Sequence, residues 1–464
     1  MTERMLKRKI YDTFLKWVES PYSYVPLVVG ARQVGKTFII RDFLNNNFEN
    51  VVELNFVTNP DYSEIFNGSL DIDNLITELS VRFPSVKLIP GKTAIFLDEI
   101  QECPDAKTAF KPFVEDGRFR VIASGSLLGI RHKQPRSNPV GFMYEINMYP
   151  LDFEEFLWGL GIDEAIVKKV RSNLITKTQY SNSILSAMEG YFSIYMIVGG
   201  MPEAVQTYLR TKNIQDVRLI QETIVSGYRD DITKYSEKSD VDKIRAIFDS
   251  IPVHLSQESK KFSYRIVDEE FVPTFRTYES SINWMKDASI INVCYNLDSP
   301  SQPLREHRKD RQFKIYLGDT GLLTYILGLN AAKSILSGDT RVNRGAVTEN
   351  VVSQCLVSNG FDLYYFKPET MEIDFIMVLG TDVAAAEIKS GNNKQSKSLN
   401  SLKDKYGVKR RMKFEKSNIQ IDDNGIEHYP LFACSFITDL QRTPIVDINV
   451  DVDSFINEFE QSSD

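Results

Sequence analysis

The chain has few of the residues that build metal frameworks and disulfide scaffolds: 4 cysteines and 4 histidines in 464 residues. Cys103, Cys294, Cys355 and Cys434 lie far apart with no C-x-x-C pair, and His132, His254, His307 and His428 are equally scattered. A zinc site or a disulfide framework is therefore not expected. Long apolar runs are missing too: no stretch reaches the ~18 apolar residues that a membrane span needs. The N-terminal MTERMLKRKI carries charge without an apolar core behind it, so neither signal peptide nor membrane contact is expected, and a reducing, cytoplasmic setting fits. There is no excess of positive charge either. A formal net charge of −8 excludes a protein that coats nucleic acid by bulk charge, although a regional basic groove stays open. Two basic clusters are visible, Arg305 to Lys314 and Lys409 to Lys416. A solvated loop explains each of them at least as well.

What is present is a soluble-type composition, 42% hydrophobic and 25% charged, on a chain long enough for about three domains. Its chemistry is concentrated in Gly30, Ala31, Arg32, Gln33, Val34, Gly35, Lys36 and Thr37, a G-x-x-x-x-G-K-T pattern. The apolar run Pro26 to Val29 enters it as a buried strand and Phe38 to Leu44 leaves it with helical spacing, the context that gives the pattern meaning. The two glycines let successive N–H groups turn toward phosphate oxygens, and the following helix adds the positive end of its dipole. Lys36 is then placed for the β- and γ-phosphates, and the Thr37 hydroxyl for a bridging Mg²⁺. ATP and Mg²⁺ are the expected ligands.

A second stretch complements the first. TAIFLDEIQ, Thr93 to Gln101, is an apolar strand ending in Asp98 and Glu99; beside the first strand it would bring both acids to the sheet's C-terminal edge. Asp98 is expected to hold Mg²⁺ through its water shell, and Glu99 to polarise the attacking water. Phe119 to Ala123 leads a further strand into Ser124, Gly125 and Ser126, placing small hydroxyls between the two motif strands and within reach of the γ-phosphate. A serine-rich turn without a ligand is the alternative there. Helix Leu75 to Val81, strand Val51 to Phe56, and a capped helix after Asp152 complete an α/β pattern.

ARQVGKT, FLDEIQ, ASGSLLG and MYPLDFEEFL together resemble the prokaryotic AAA-type ATPases related to the archaeal ATPase group. The resemblance continues through GGMPEAV (from Gly199), YRDDITKY (from Tyr228) and LGDTGL (from Leu317), and so covers nearly the whole chain. It implies a P-loop ATPase domain, a parallel sheet between helices, over 1–160, and it suggests nucleotide-dependent homo-oligomers. One departure is Phe142 after Gly141, where many relatives carry a basic residue. The arginine finger is thus unassigned, with Arg131 and Arg136 nearby, Arg136 preferred, or a neighbouring subunit supplying it.

Beyond 160 the pattern is helical to about 235, a lid or connector. Residues 236–330 read as helices (Val241 to Ser250, a short element at Ser263 to Val267, Thr274 to Asp287) followed by strands Ile290 to Asn296 and Phe313 to Leu317 around the basic loop, a winged-helix pattern with DNA contact as one option and protein contact as the other. In 340–464, Glu349 sits on a helix, Asp374 in EIDFIM, and Glu387 and Lys389 on one face of the strand AAAEIKSG. This order resembles the PD-(D/E)XK restriction-endonuclease-like fold. That resemblance implies Asp374 and Glu387 as divalent-metal ligands, Lys389 beside the attacking water and Glu349 as an accessory acid. An ordinary E-x-K surface pair is the competing explanation. Two functions follow as alternatives: an ATPase coupled to a DNA-related, nuclease-like domain, or an ATP-switched protein-interaction module whose C-terminal domain is silent.

Overall fold

The computed structural model describes residues 5–20, 24–126, 139–236, 240–267, 275–337, 344–389 and 396–441. Five strands, β1 (Val25–Val29), β2 (Asn50–Asn55), β3 (Thr93–Asp98), β4 (Arg120–Gly125) and β5 (Met143–Asn147), form one sheet in the order β2-β3-β4-β1-β5. All their pairings are parallel. Every residue of β1 and β3 is buried, because a parallel sheet is covered on both faces and its strands read as continuous apolar runs rather than alternations. Side chains alternate across it: Val25, Leu27, Ile95 and Leu97 join one core, Val28, Ala94, Phe96 and Ile122 the other. The helix Lys36–Asn47 packs on the second face, and the N-terminal helix Ile10–Glu19 lies over it, Phe14 meeting Phe43 edge to face at 5.3 Å. With β4 between β1 and β3, the ends of the two motif strands frame a crevice at the C-terminal edge.

After β5 the chain enters helix Phe153–Leu160 through a capping box, Asp152 accepting from the Glu155 N–H and Glu155 from the Asp152 N–H. Arg8 donates to Glu155, to the Val34 carbonyl and to the Tyr149 carbonyl, which ties the N-terminal segment to both the glycine loop and this helix. Helices Glu164–Thr176, Asn182–Val198, Pro202–Thr211 and Ile214–Tyr235 follow. The turn between the second and third passes so close to the chain before the capping box that a Cβ on Gly200 would lie 2.1 Å from the Leu151 carbonyl oxygen. Only glycine fits there.

The C-terminal half departs from the sequence-based expectation in one large respect. Strands β6 (Ile291–Leu297) and β7 (Arg308–Leu317) do form an antiparallel pair, but β6 also pairs in parallel with β8 (Tyr364–Phe366). The pair expected to be the wing of a separate winged helix is therefore the edge of an eight-stranded mixed sheet. The other strands are β9 (Ile373–Leu379), β10 (Asp382–Ile388), β11 (Arg410–Glu415), β12 (Gln420–Ile421) and β13 (Glu427–Pro430), and the order is β12-β13-β11-β10-β9-β8-β6-β7. Segments on both sides of the boundary expected between 330 and 340 therefore contribute strands to one sheet, because parallel pairing joins segments remote in sequence, and a local pattern does not reveal it. The two basic clusters are corrected in the same way. Lys314 lies inside β7 and Arg410, Arg411 and Lys413 inside β11, each 3% exposed or less, so these four are sheet-interior cations and not part of a solvated loop. One apolar cluster runs from Phe14 through Tyr195 and Tyr316 to Leu440, so the two sheets and the helices between them share a core.

Candidate active site

The glycine loop is held by its apolar members and presents its polar ones. Ala31 and Val34 are buried against the core, whereas Arg32 and Gln33 are exposed. Gly30 must be glycine because a Cβ would meet the Met148 carbonyl oxygen at 2.1 Å. Gly35, at φ +91, turns the chain through the left-handed region into the helix that starts at Lys36. Lys36 folds back over the loop and donates to the carbonyls of Gly30 (3.0 Å) and Ala31 (2.9 Å). Burial lowers the pKa of its ammonium group below the ordinary lysine value; Glu99 and Asp98 oppose that shift and the Arg32 charge adds to it. Phe38, on the first turn of the helix, is 55% exposed at the mouth of the loop.

Asp98, wholly buried at the end of β3, is the hub of the site. It accepts from the Thr37 hydroxyl (3.0 Å), from Asn55 Nδ2 (2.8 Å), from the Glu99 N–H (3.1 Å) and from the Ser124 hydroxyl. Burial raises its carboxyl above the usual range, against the lowering by the hydrogen bonds from Ser124, Thr37 and Asn55. Thr37 and Asp98 are the donor set that Mg²⁺ requires beside a phosphate, a hydroxyl and a carboxylate in direct contact. Glu99, in the left-handed region at φ +54, is held by Gln101 Nε2 at 2.5 Å. Gln101 in turn accepts from the Ser126 N–H at 3.2 Å. The structure therefore divides the two serines expected to face the γ-phosphate. Ser124 is spent on Asp98, since the register that pairs Leu97 with Ala123 sets the two side chains next to each other, while Ser126 lies past the strand end, in the cavity of Glu99. That cavity, about 140 Å³, is also lined by Arg32, Asn55 and Gln101, and is roofed by Tyr228, Asp231 and Trp284. Arg131 and Arg136 lie outside the described residues. Asn55 and Gln101 were not anticipated, although each has a signal: Asn55 is a polar residue ending an apolar strand in register with Asp98, and Gln101 stands two residues after Glu99.

The second constellation is rearranged relative to expectation. Glu349 and Asp374 do approach each other, but around a lysine: Lys314 Nζ lies 2.8 Å from Glu372, 3.6 Å from Glu349 and 3.9 Å from Asp374. Lys260 also pairs with Glu349, and Tyr316 donates to it. Burial by itself would lower Lys314, yet Glu349, Asp374 and Glu372 outweigh it and raise the group. Asp374 is pushed up to about 7 by burial and by Glu349, against the pull of Lys314. Glu387 pairs instead with Lys389, at 3.5 Å, the same-face geometry expected of an E-x-K strand. Among the described residues no group of three or more His, Cys, Asp or Glu side chains is arranged to hold a metal ion. Glu372, Lys260 and Lys314 were missed. Lys314 was hidden because its pattern, a lysine between apolar neighbours in FKIYL, resembles an exposed strand position.

Residues 23–157 match the family described as "AAA domain", residues 189–333 a domain of unknown function (DUF8612), and residues 344–432 another (DUF4143). An uncharacterized protein of Haemophilus influenzae is 21% identical over 423 residues, spanning 88% of this chain and 93% of its own. Among solved structures, the Walker-type ATPase PABY2304 of Pyrococcus abyssi aligns over 70% of this chain and 97% of its own, at 13% identity and a TM-score of 0.43. The Aeropyrum pernix ORC1 protein in complex with DNA aligns over 72% of this chain and 91% of its own, at 12% identity and a TM-score of 0.26. The glycine loop, its acid partners and the family match agree: residues 23–157 are similar to AAA-type P-loop ATPase domains. Among the described residues no helix is long and apolar enough to cross a membrane.

Proposed function

We propose that the protein is a Mg²⁺-dependent ATPase whose C-terminal half reads the state of the nucleotide site. The observation that carries this is the contact of Thr37 with Asp98 beneath a glycine loop, with Glu99 and Ser126 in one cavity above it. In this reading the loop N–H groups and Lys36 bind the phosphates of ATP. Thr37 and Asp98 would hold Mg²⁺, which would supply charge neutralisation at the phosphates. Glu99 takes the proton of the attacking water, and Gln101 fixes Glu99 toward it. Gly30 to Phe38 form the nucleotide-binding segment.

The same cavity is roofed by side chains from beyond residue 220, which favours an ATP-switched module: a change at the phosphates bears directly on helix Ile214–Tyr235 and on Trp284. Lys314 among Glu349, Glu372 and Asp374 favours a C-terminal domain in which a lysine, not a metal, balances the acids. A nuclease-like reading retains one specific support, the order helix, β8, β9, β10, helix, β11 with Glu387 and Lys389 at the end of β10. On that reading DNA is the partner, and Glu349, Asp374, Glu387 and Lys389 are its site.

Two measurements separate these. Phosphate release from ATP is expected to require Mg²⁺ and to fall by roughly 10²-fold or more in Glu99→Gln, as for loss of a general base; unchanged release in that variant would remove Glu99 from its role. Incubation with circular single- and double-stranded DNA and Mn²⁺ is expected to give no cleavage by wild type. Cleavage abolished by Asp374→Ala would overturn the switch reading in favour of the nuclease.

A further inference from the structure

The arginine that AAA-type chemistry calls for has no assigned residue, yet one arginine already lines the cavity of Glu99. We propose that Arg32, within the glycine loop itself, is the cation that stabilises the transferring γ-phosphate in cis, and that Asp231 holds it in reserve until ATP binds. The proposal rests on the ATPase reading above and adds a residue and a control to it.

Three observations carry it. First, Arg32 is the third residue of the loop, between buried Ala31 and Gln33, whose φ of +64 turns the backbone. Its side chain consequently leaves the loop into the cavity of about 140 Å³ that also holds Glu99, Gln101 and Ser126. That volume accommodates a phosphoryl group with its attacking water, which takes about 30 Å³ in the liquid. Second, the Arg32 guanidinium pairs with Asp231 on helix Ile214–Tyr235. Asp231 is 8% exposed; burial raises its carboxyl and Arg32 lowers it. The carboxylate that Arg32 pairs with is thus that of Asp231, in the cavity that Glu99 also lines. Third, the roof is built from the same chain. Helix Ile214–Tyr235 lies against the loop closely enough that a Cβ on Gly227 would be 3.6 Å from the Gln33 side chain, and Trp284 also lines the cavity. Among the described residues, Arg32 is the arginine that lines this cavity.

The step balances without a further reactant. A water oxygen forms a bond to the γ-phosphorus as Glu99 takes one of its protons. The bond from the γ-phosphorus to the β–γ bridging oxygen breaks with its electron pair moving onto ADP, and the proton then passes to the products. In the transition state negative charge is spread over the three equatorial oxygens and grows on the leaving oxygen as its bond breaks. Arg32, released from Asp231 by the competing triphosphate, acts at that moment; Asp231, left without its partner beside incoming phosphate, is pushed away and displaces the helix that carries it.

The test compares full-length wild type, Arg32→Ala, Asp231→Asn, and the charge swap Arg32→Asp with Asp231→Arg. It measures phosphate release, affinity for a fluorescent ATP analogue, and retention of ADP with aluminium fluoride, which mimics the transferring phosphoryl group. Arg32→Ala is expected to lower turnover by about 10³-fold or more, to keep ATP affinity within about tenfold, and to lose ADP–aluminium fluoride trapping. Asp231→Asn is expected to hydrolyse at least as fast as wild type. A purely structural ion pair predicts the reverse pattern: Arg32→Ala and Asp231→Asn equally impaired, and the charge swap restoring turnover. Either result overturns the proposal. Wild type that binds ATP without releasing phosphate would refute the ATPase reading itself, and Arg32 as its cation with it.

Discussion

Replacing Lys314 by methionine isolates the most heavily charged part of the C-terminal core. The ammonium is 1% exposed and lies within 4 Å of Glu372, Glu349 and Asp374. At an effective dielectric of about 20, each contact has a gross attraction of roughly 4–6 kcal/mol, most of which offsets the cost of burying the charges. Removing the cation alone leaves carboxylates buried without it, which costs about 3–5 kcal/mol. Methionine fills the stem's volume, so little cavity is added. The penalty has a pH signature. Without Lys314, Asp374, already raised to about 7, rises further and Glu349 loses the largest of the charges that lower it, so the destabilisation is present at high pH and fades as pH falls and the two groups bind protons. Amide hydrogen exchange in peptides from 308–317 and 373–379, corrected for intrinsic rates, reports the local free energy. Lys314→Met is expected to lose protection by more than about 10²-fold at pH 8 and by clearly less at pH 5, with Asp374→Asn in the same chain restoring part of it. Equal losses at both pH values, or no loss, would refute the assignment of Lys314 as the balancing charge.

Three other outcomes are expected. Gly200→Ala places a methyl 2.1 Å from the Leu151 carbonyl; urea unfolding should show a loss of about 1–3 kcal/mol, and ATP binding should weaken because Pro202, two residues on, lies beside Gly35. Asp319, buried and raised to about 6, holds its proton more tightly in the folded than in the unfolded chain between pH ~4 and ~6. Its contribution to stability therefore declines as pH rises through that window, by roughly 3 kcal/mol, so Asp319→Asn should gain on wild type from pH 4 to pH 7; parallel urea profiles would contradict this. Asp152→Ala removes the side chain that caps helix Phe153–Leu160 and pairs with Lys9, and is expected to cost about 1–2 kcal/mol in the same assay.

The nucleotide site was legible because its parts are local. A glycine loop, a lysine and a threonine are contiguous, and the two acids follow one apolar strand, so pattern and spacing suffice to bring Gly30 to Thr37, Asp98 and Glu99 to one sheet edge. The partners of those residues were less legible. That Ser124 turns onto Asp98 while Ser126 joins Glu99 depends on which neighbour β4 receives, and Asn55 reaches Asp98 only because β2 and β3 pair in that register.

The C-terminal half shows the limit more sharply. Alternation placed Glu387 and Lys389 on one face correctly, since a strand's period is local. It was silent on β6 pairing with β8 across about seventy residues, on Lys314 entering the midst of three acids, and on Arg410, Arg411 and Lys413 lying inside a sheet. What the amino-acid order determined by itself was the chemistry of the glycine loop and the type of most elements, because backbone turns and side-chain periods are set by neighbours in the chain. Tertiary structure alone decided which charges meet. Arg32 and Asp231 are 199 residues apart, and Lys260 and Glu349 are 89. Such pairs form where strand pairing and the shared apolar core bring distant segments together, and burial then fixes their ionisation.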